Sequence, residues 1–105
     1  MPSNYELIER AIKEKLQVTA VYQDHYREMC PHALGTKAGR QQALFYQFGG
    51  MGSKGPVTPD SPNNWRCIPI EGLTNIELHA GEWHTADNHS RAQTCVDQIH
   101  IEVEL

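Results

Sequence analysis

The apolar positions change period once, near Gln17, and that change divides the chain. Upstream, Leu7, Ile8, Ala11, Ile12 and Leu16 recur at helical spacing, while Arg10, Lys13, Glu14 and Lys15 fall mostly off the stripe. Ser3-Asn4-Tyr5-Glu6 forms a capping box, with Ser3 as N-cap and Glu6 reaching back from the third helical position. The pattern predicts a helix over about 4–15.

From Gln17 the period is two. Val18, Ala20 and Tyr22 alternate with Gln17, Thr19 and Val21, which predicts a strand over 17–23, followed by a turn at Asp24-His25. A second strand is expected over 27–32, with Pro31 marking an edge or a strand end. Gly35 and Ala38-Gly39 mark the next turn, and a third strand runs over 41–48. Residues 49–64 hold four glycines and three prolines and read as a long loop. Their Gly-Gly-Met-Gly-Ser-Lys-Gly lacks the spacing of a phosphate loop and no helix follows, so a flexible hairpin is the favoured reading. Strands follow at 65–70 and 73–78, then an irregular polar stretch over 80–97. A last strand spans 98–104, with Ile99, Ile101, Val103 and Leu105 alternating with His100, Glu102 and Glu104. This is the order of a mainly β domain with one N-terminal helix (α+β), spanning 1–105. The strands would form a small curled antiparallel sheet or barrel, with the helix covering one end.

Composition narrows the function classes. With 39% hydrophobic and 21% charged residues, 105 residues suit one globular domain. The net charge of -4 argues against broad nonspecific nucleic-acid binding and leaves room for a local basic patch. Full protonation of the six histidines would make it -4 + 6 = +2, so the sign of the surface depends on pH. Cys30, Cys67 and Cys95 are odd in number and include no CxxC pair, which predicts reduced thiols. No apolar run approaches the ~20 residues of a membrane span, and the N-terminus lacks the features of a secretion signal. The expectation is a cytoplasmic protein with no membrane partner.

Several stretches in order carry a family likeness: Leu7 to Lys15, Val21-Tyr22-Gln23-Asp24, Pro31-His32-Ala33-Leu34-Gly35, Ala43-Leu44-Phe45-Tyr46 and Trp65-Arg66-Cys67-Ile68-Pro69-Ile70-Glu71-Gly72-Leu73. Their succession resembles a WYL domain over about residues 5–78. Such domains are SH3/Sm-like barrels of bacterial regulators and defence systems, and this one would stand alone, without a helix-turn-helix. The resemblance implies a ligand-sensing barrel that binds nucleotide or nucleic acid through basic and aromatic residues. Arg66 matches an arginine these domains commonly carry after the strand-opening aromatic.

A guanidinium fork suits bidentate contact with phosphate or carboxylate. Arg40, after the Ala38-Gly39 turn, could lie on a neighbouring strand, although alone it reads as a surface charge. Trp83 to Cys95 packs two histidines, an arginine and a cysteine among polar side chains without strand or helix periodicity. Three chemistries compete there with a plain hydrogen-bonded loop. In an anion or nucleotide pocket, His84, His89 and Arg91 would join Arg66, and Trp65 or Trp83 would offer a stacking face. A zinc site would use His84, His89 and Cys95, with Cys30 or His32 nearby, although the spacing matches no strong zinc signature. A small cysteine enzyme would use Cys95 as nucleophile and His84 or His89 as base. The favoured expectation is a non-enzymatic, regulatory anion-binding module. A protein partner would supply its output, and a homodimer is a separate expectation. The alternative classes are the small metal-dependent or cysteine-based enzyme and a pure protein-protein interaction subunit.

Overall fold

A computed structural model describes residues 3–52, 55–56, 64–83 and 95–103. The predicted helix is α1, Asn4–Glu14, and Ser3 Oγ accepts the Glu6 backbone N–H at 3.1 Å. Glu6 does not reach the Ser3 backbone; its carboxylate instead accepts the Ser3 hydroxyl at 3.3 Å. Lys15 ends the helix in the left-handed region (φ 51°), and Leu16 N–H closes back on Ala11 O at 2.8 Å. Ile8, Ala11 and Ile12 are buried, as the stripe requires.

The strands are β1 Gln17–Tyr22, β2 His25–Lys37, β3 Arg40–Gly52, β4 Gly55–Pro56, β5 Trp65–Pro69, β6 Thr74–His79 and β7 Gln98–Glu102. All pairings are antiparallel: β4-β3-β2-β1-β6 form the main path, while β5 pairs with β3 and β7 with β2. A 3₁₀ turn, Ile70–Gly72, links β5 directly to β6, the strands at either end of the order β5-β3-β2-β1-β6. Among the described residues those two strands do not pair with each other, so hydrogen bonding leaves the sheet open. The expected mainly β architecture with one helix is present, and with a radius of gyration of 12.4 Å it is compact.

The boundaries differ from expectation at three places. The turn after β1 is Gln23-Asp24, both at positive φ, one residue earlier than expected. The second strand continues to Lys37 through Pro31 and Gly35, to the predicted Ala38-Gly39 turn. Pro31, opposite Phe45, adjoins a bulge at which the register shifts between Pro31 and Ala33, a place where a strand tolerates proline. Gly35 is a packing requirement and not a turn signal: a Cβ there would meet the Gln98 carbonyl oxygen and Val96 Cγ1. The third strand extends through Gly49 and Gly50 to Gly52 and pairs with Gly55–Pro56, so 49–52 is strand where loop was expected, while the pairing agrees with the hairpin reading of this stretch. On β7, Ile99 is 49% exposed, against its expected place in the core, and Ile101 is half-buried; Val103, just past the strand, is buried, and Glu104 and Leu105 lie outside the described residues.

The main core joins Ile8, Ala11 and Ile12 of α1 to Val18 and Ala20 of β1, Met29 and Leu34 of β2, Ala43 and Phe45 of β3, and Ile68, Ile70, Leu73 and Val103. Met29 and Leu34 are five positions apart, which a regular strand would place on opposite faces; the bulge returns both to the core. Phe45 and Tyr46, adjacent on β3, are both fully buried, so that strand is covered on both faces. The second face carries an aromatic cluster in which Tyr46, Trp65 and Trp83 surround His32.

Candidate anion-binding site

Three neighbouring inward positions of the sheet break the apolar rule. On β1 the inward residues are Val18, Ala20 and Tyr22, and the register places Arg27 opposite Ala20. Met29, two residues on, faces the core and pairs with Gln47, which lies two residues beyond Phe45. Arg27 and Gln47 therefore sit on the core-facing side of β2 and β3, and their side chains are 3% and 0% exposed. Gly50, opposite Arg27, adopts φ +78°, and any Cβ there would strike the Tyr26 carbonyl. Arg66 belongs to the same face, because it pairs with Phe45 and stands two residues from buried Ile68.

Arg27 donates from Nη1 to Gln47 Oε1 at 3.2 Å, and its guanidinium lies 5.3 Å from the centre of the Tyr22 ring. Gln47 is fixed in turn: Nε2 donates to the Gly49 and Met51 carbonyls at 2.9 and 3.0 Å. Its backbone N–H donates to Asn64 O at 2.9 Å. Arg27 Nε is buried without a hydrogen-bond partner among the described residues, and none of their carboxylates pairs with it. Burial lowers the Arg27 pKa, the Arg66 charge lowers it further, and Tyr22 acts in the opposite sense. Two arginines thus face a common region, and one is a desolvated cation with an unused donor. Such a group favours an oxyanion, which accepts from the fork and neutralises the charge.

The residues expected to bind ligand divide sharply. Arg66 is in this cluster; it is partly buried, and its Nη1 donates to the Trp65 carbonyl at 3.0 Å. Trp65 is on the opposite face of β5, edge-on to Tyr46 at 5.1 Å and to His32 at 4.7 Å, so it does not flank Arg66. Of this neighbouring pair, it is the arginine that shares the core face. Trp83 joins the same second-face cluster, 5.2 Å from His32, and its buried Nε1 lacks a partner among the described residues. His32 Nδ1 donates to Cys30 O at 2.9 Å, which sets its tautomer. Arg40 is exposed at the β2–β3 hairpin, about 17 Å along β3 from the Arg66 pairing position. His84, His89 and Arg91 lie outside the described residues.

Cys95 forms a disulfide with Cys67, contrary to the expectation of reduced thiols; Cys30 is a buried thiol outside that bond. While that bond is closed Cys95 has no thiolate to offer as a metal ligand or nucleophile. Among the described residues no group of three histidine, cysteine or acidic side chains could hold a metal ion, and no helix is long and apolar enough to cross a membrane.

The arginine missed in the sequence was Arg27. Its signal was parity: a hairpin with its turn at Asp24-His25 would place Arg27 opposite Tyr22, and the observed turn places it opposite Ala20. Both partners are inward, so either register buries the arginine.

No protein-family model, curated protein or solved structure matches the chain.

Proposed function

We propose that this domain is a non-enzymatic binding module for an anionic ligand, held by Arg27 and Arg66. The observation that carries the reading is the buried Arg27 guanidinium, with an unpartnered Nε and a second arginine acting on it. A phosphate or carboxylate group is the recognised element. With Trp65 turned to the other face, the aromatic surface nearest the cation is Tyr22, so base stacking on Trp65 is not part of the recognition. The strand order β5-β3-β2-β1-β6, with a 3₁₀ turn joining its two ends, supports an SH3/Sm-like, WYL-like barrel closed by chain connection and not by pairing.

Calorimetric titration with inorganic pyrophosphate tests the reading, with a mononucleotide as second probe. Loss of a charge-assisted, bidentate contact is worth about 1.5–3 kcal/mol, so Arg66→Ala should weaken pyrophosphate binding about 10- to 150-fold. A circular dichroism spectrum like that of the wild type confirms that the variant is folded. Equal binding by folded Arg66→Ala, or no binding by the wild type, refutes the assignment. A mononucleotide that binds more tightly than pyrophosphate marks a base contact in addition.

A further inference from the structure

The disulfide ties the strand that carries Arg66 to the segment leading into β7. Cys67 follows Arg66 on β5, a five-residue strand that pairs with β3. Cys95 precedes buried Val96, and the Asp97 N–H donates to Thr36 O at 2.9 Å where β7 begins. The two residues differ in exposure: Cys67 is exposed, whereas Cys95 is 6% exposed. Reduced thiols would also find acceptors already in place. Cys95 Sγ lies 3.4 Å from Ala43 O, and Cys67 Sγ lies 3.8 Å from Cys95 O. Gln42 spans the same point: its Nε2 donates to Cys95 O at 2.8 Å and lies 3.5 Å from Cys67 Sγ.

We infer that the Cys67–Cys95 bond is a redox-sensitive clasp that fixes β5, and with it Arg66, in the anion site. The inference rests on the proposed Arg27–Arg66 reading for its functional consequence and on the disulfide alone for its structural one. The reductant is a dithiol. One of its thiolates attacks the sulfur of Cys67, the more exposed residue, and the Cys67–Cys95 bond breaks with its electron pair leaving on Cys95 Sγ. Cys95 takes a proton and can donate it to Ala43 O. The second thiolate of the dithiol then displaces Cys67 Sγ, which is protonated in turn, and the reductant closes to its own disulfide. Two electrons and two protons pass to the protein. The hydrogen-bond acceptors are retained and the covalent tether is lost, so β5 is held by its short ladder, its 3₁₀ connection and Gln42.

The test compares hydrogen exchange and pyrophosphate binding of the whole chain before and after dithiothreitol. Alkylation after unfolding fixes the state of the bond: one adduct when it is closed and three when it is open. The expected result is exchange at the Arg66, Cys67 and Ile68 amides at least about fivefold faster in the reduced protein. Pyrophosphate binding should weaken by about threefold or more. Cys95→Ser should behave as the reduced protein whether or not dithiothreitol is present. A bond that dithiothreitol cannot open in the folded protein overturns the clasp, as does unchanged β5 exchange with the bond open. Faster exchange with unchanged affinity overturns its coupling to Arg66. If pyrophosphate binds neither form, the anion site itself is wrong, and the exchange comparison still decides the clasp.

Discussion

Replacing Arg27 by methionine separates a ligand-binding cation from a structural one. If a carboxylate compensated this buried charge within the chain, removing the arginine would strand that partner and cost about 3–5 kcal/mol. The described contacts predict a different balance. Methionine fills a similar unbranched volume and forfeits the Gln47 bond, about 1–3 kcal/mol because the Gln47 oxygen is buried. It also forfeits the Tyr22 contact, at most about 2 kcal/mol. Against these losses it removes an orphaned Nε, another 1–3 kcal/mol or so. The repulsion from Arg66 and the desolvation of a cation that no described residue compensates are relieved as well. The variant should therefore unfold within about 1 kcal/mol of wild type, or be more stable. Urea unfolding at low ionic strength, without multivalent anion, measures this at unchanged slope. Pyrophosphate at about 100 times the wild-type Kd should then stabilise the wild type by about 2.7 kcal/mol and the variant by at most about 1.4 kcal/mol, if its affinity falls about 10-fold or more. Destabilisation beyond about 3 kcal/mol without anion would show that the chain compensates the cation itself. Undiminished stabilisation by pyrophosphate would place the site elsewhere.

Two further predictions concern the frame. Gly35→Ala puts a methyl group against the Gln98 carbonyl and 2.5 Å from Val96 Cγ1; it should cost about 1–3 kcal/mol in calorimetry and raise amide exchange along β7. Wild-type stability with full β7 protection would mean that β7 can shift at no cost. Tyr5 has its pKa raised above 10.0 by burial and by the Glu9 charge. The fold thus favours the neutral phenol: this stabilisation is complete below pH 10 and is lost as pH rises through the folded value. Thermal midpoints of Tyr5→Phe should fall less steeply than those of the wild type above about pH 10, and parallel curves would contradict the linkage.

The helix, the alternation on β1 and the Ala38-Gly39 hairpin were legible because each rests on a local rule: a cap, a period or a positive-φ turn. The course of β2 was not. Pro31 and Gly35 are breakers by local chemistry, and each is accommodated by a distant event: a bulge against β3 for one and the close approach of Gln98 for the other. The Cys67–Cys95 bond was illegible for the same reason. Its partners are 28 residues apart and meet only because β5 and the lead into β7 flank the same part of β3. Arg66 was legible as a candidate, but its face was not, since an arginine beside a tryptophan is ordinarily the outward member of the pair.

The proposed ligand follows from the positions where the apolar rule fails. On the core-facing side of the first three strands, Val18, Ala20, Met29, Ala43 and Phe45 are apolar and buried. Arg27 and Gln47 depart from that pattern as partners of one hydrogen bond, within reach of Tyr22. Two apolar side chains there would spare the chain a desolvated charge. Gln47 does serve the fold, since it satisfies the Gly49 and Met51 carbonyls. Among the described residues Arg27 satisfies only Gln47, and the charge that acts on it is a second cation and not an acid. A local rule broken at a structural cost, without compensation from the described residues, is the pattern expected of a functional position. Arg66 makes the case specific. A lone buried arginine calls for any acceptor, but two arginines on one face call for an oxyanion with more than one oxygen to share between them.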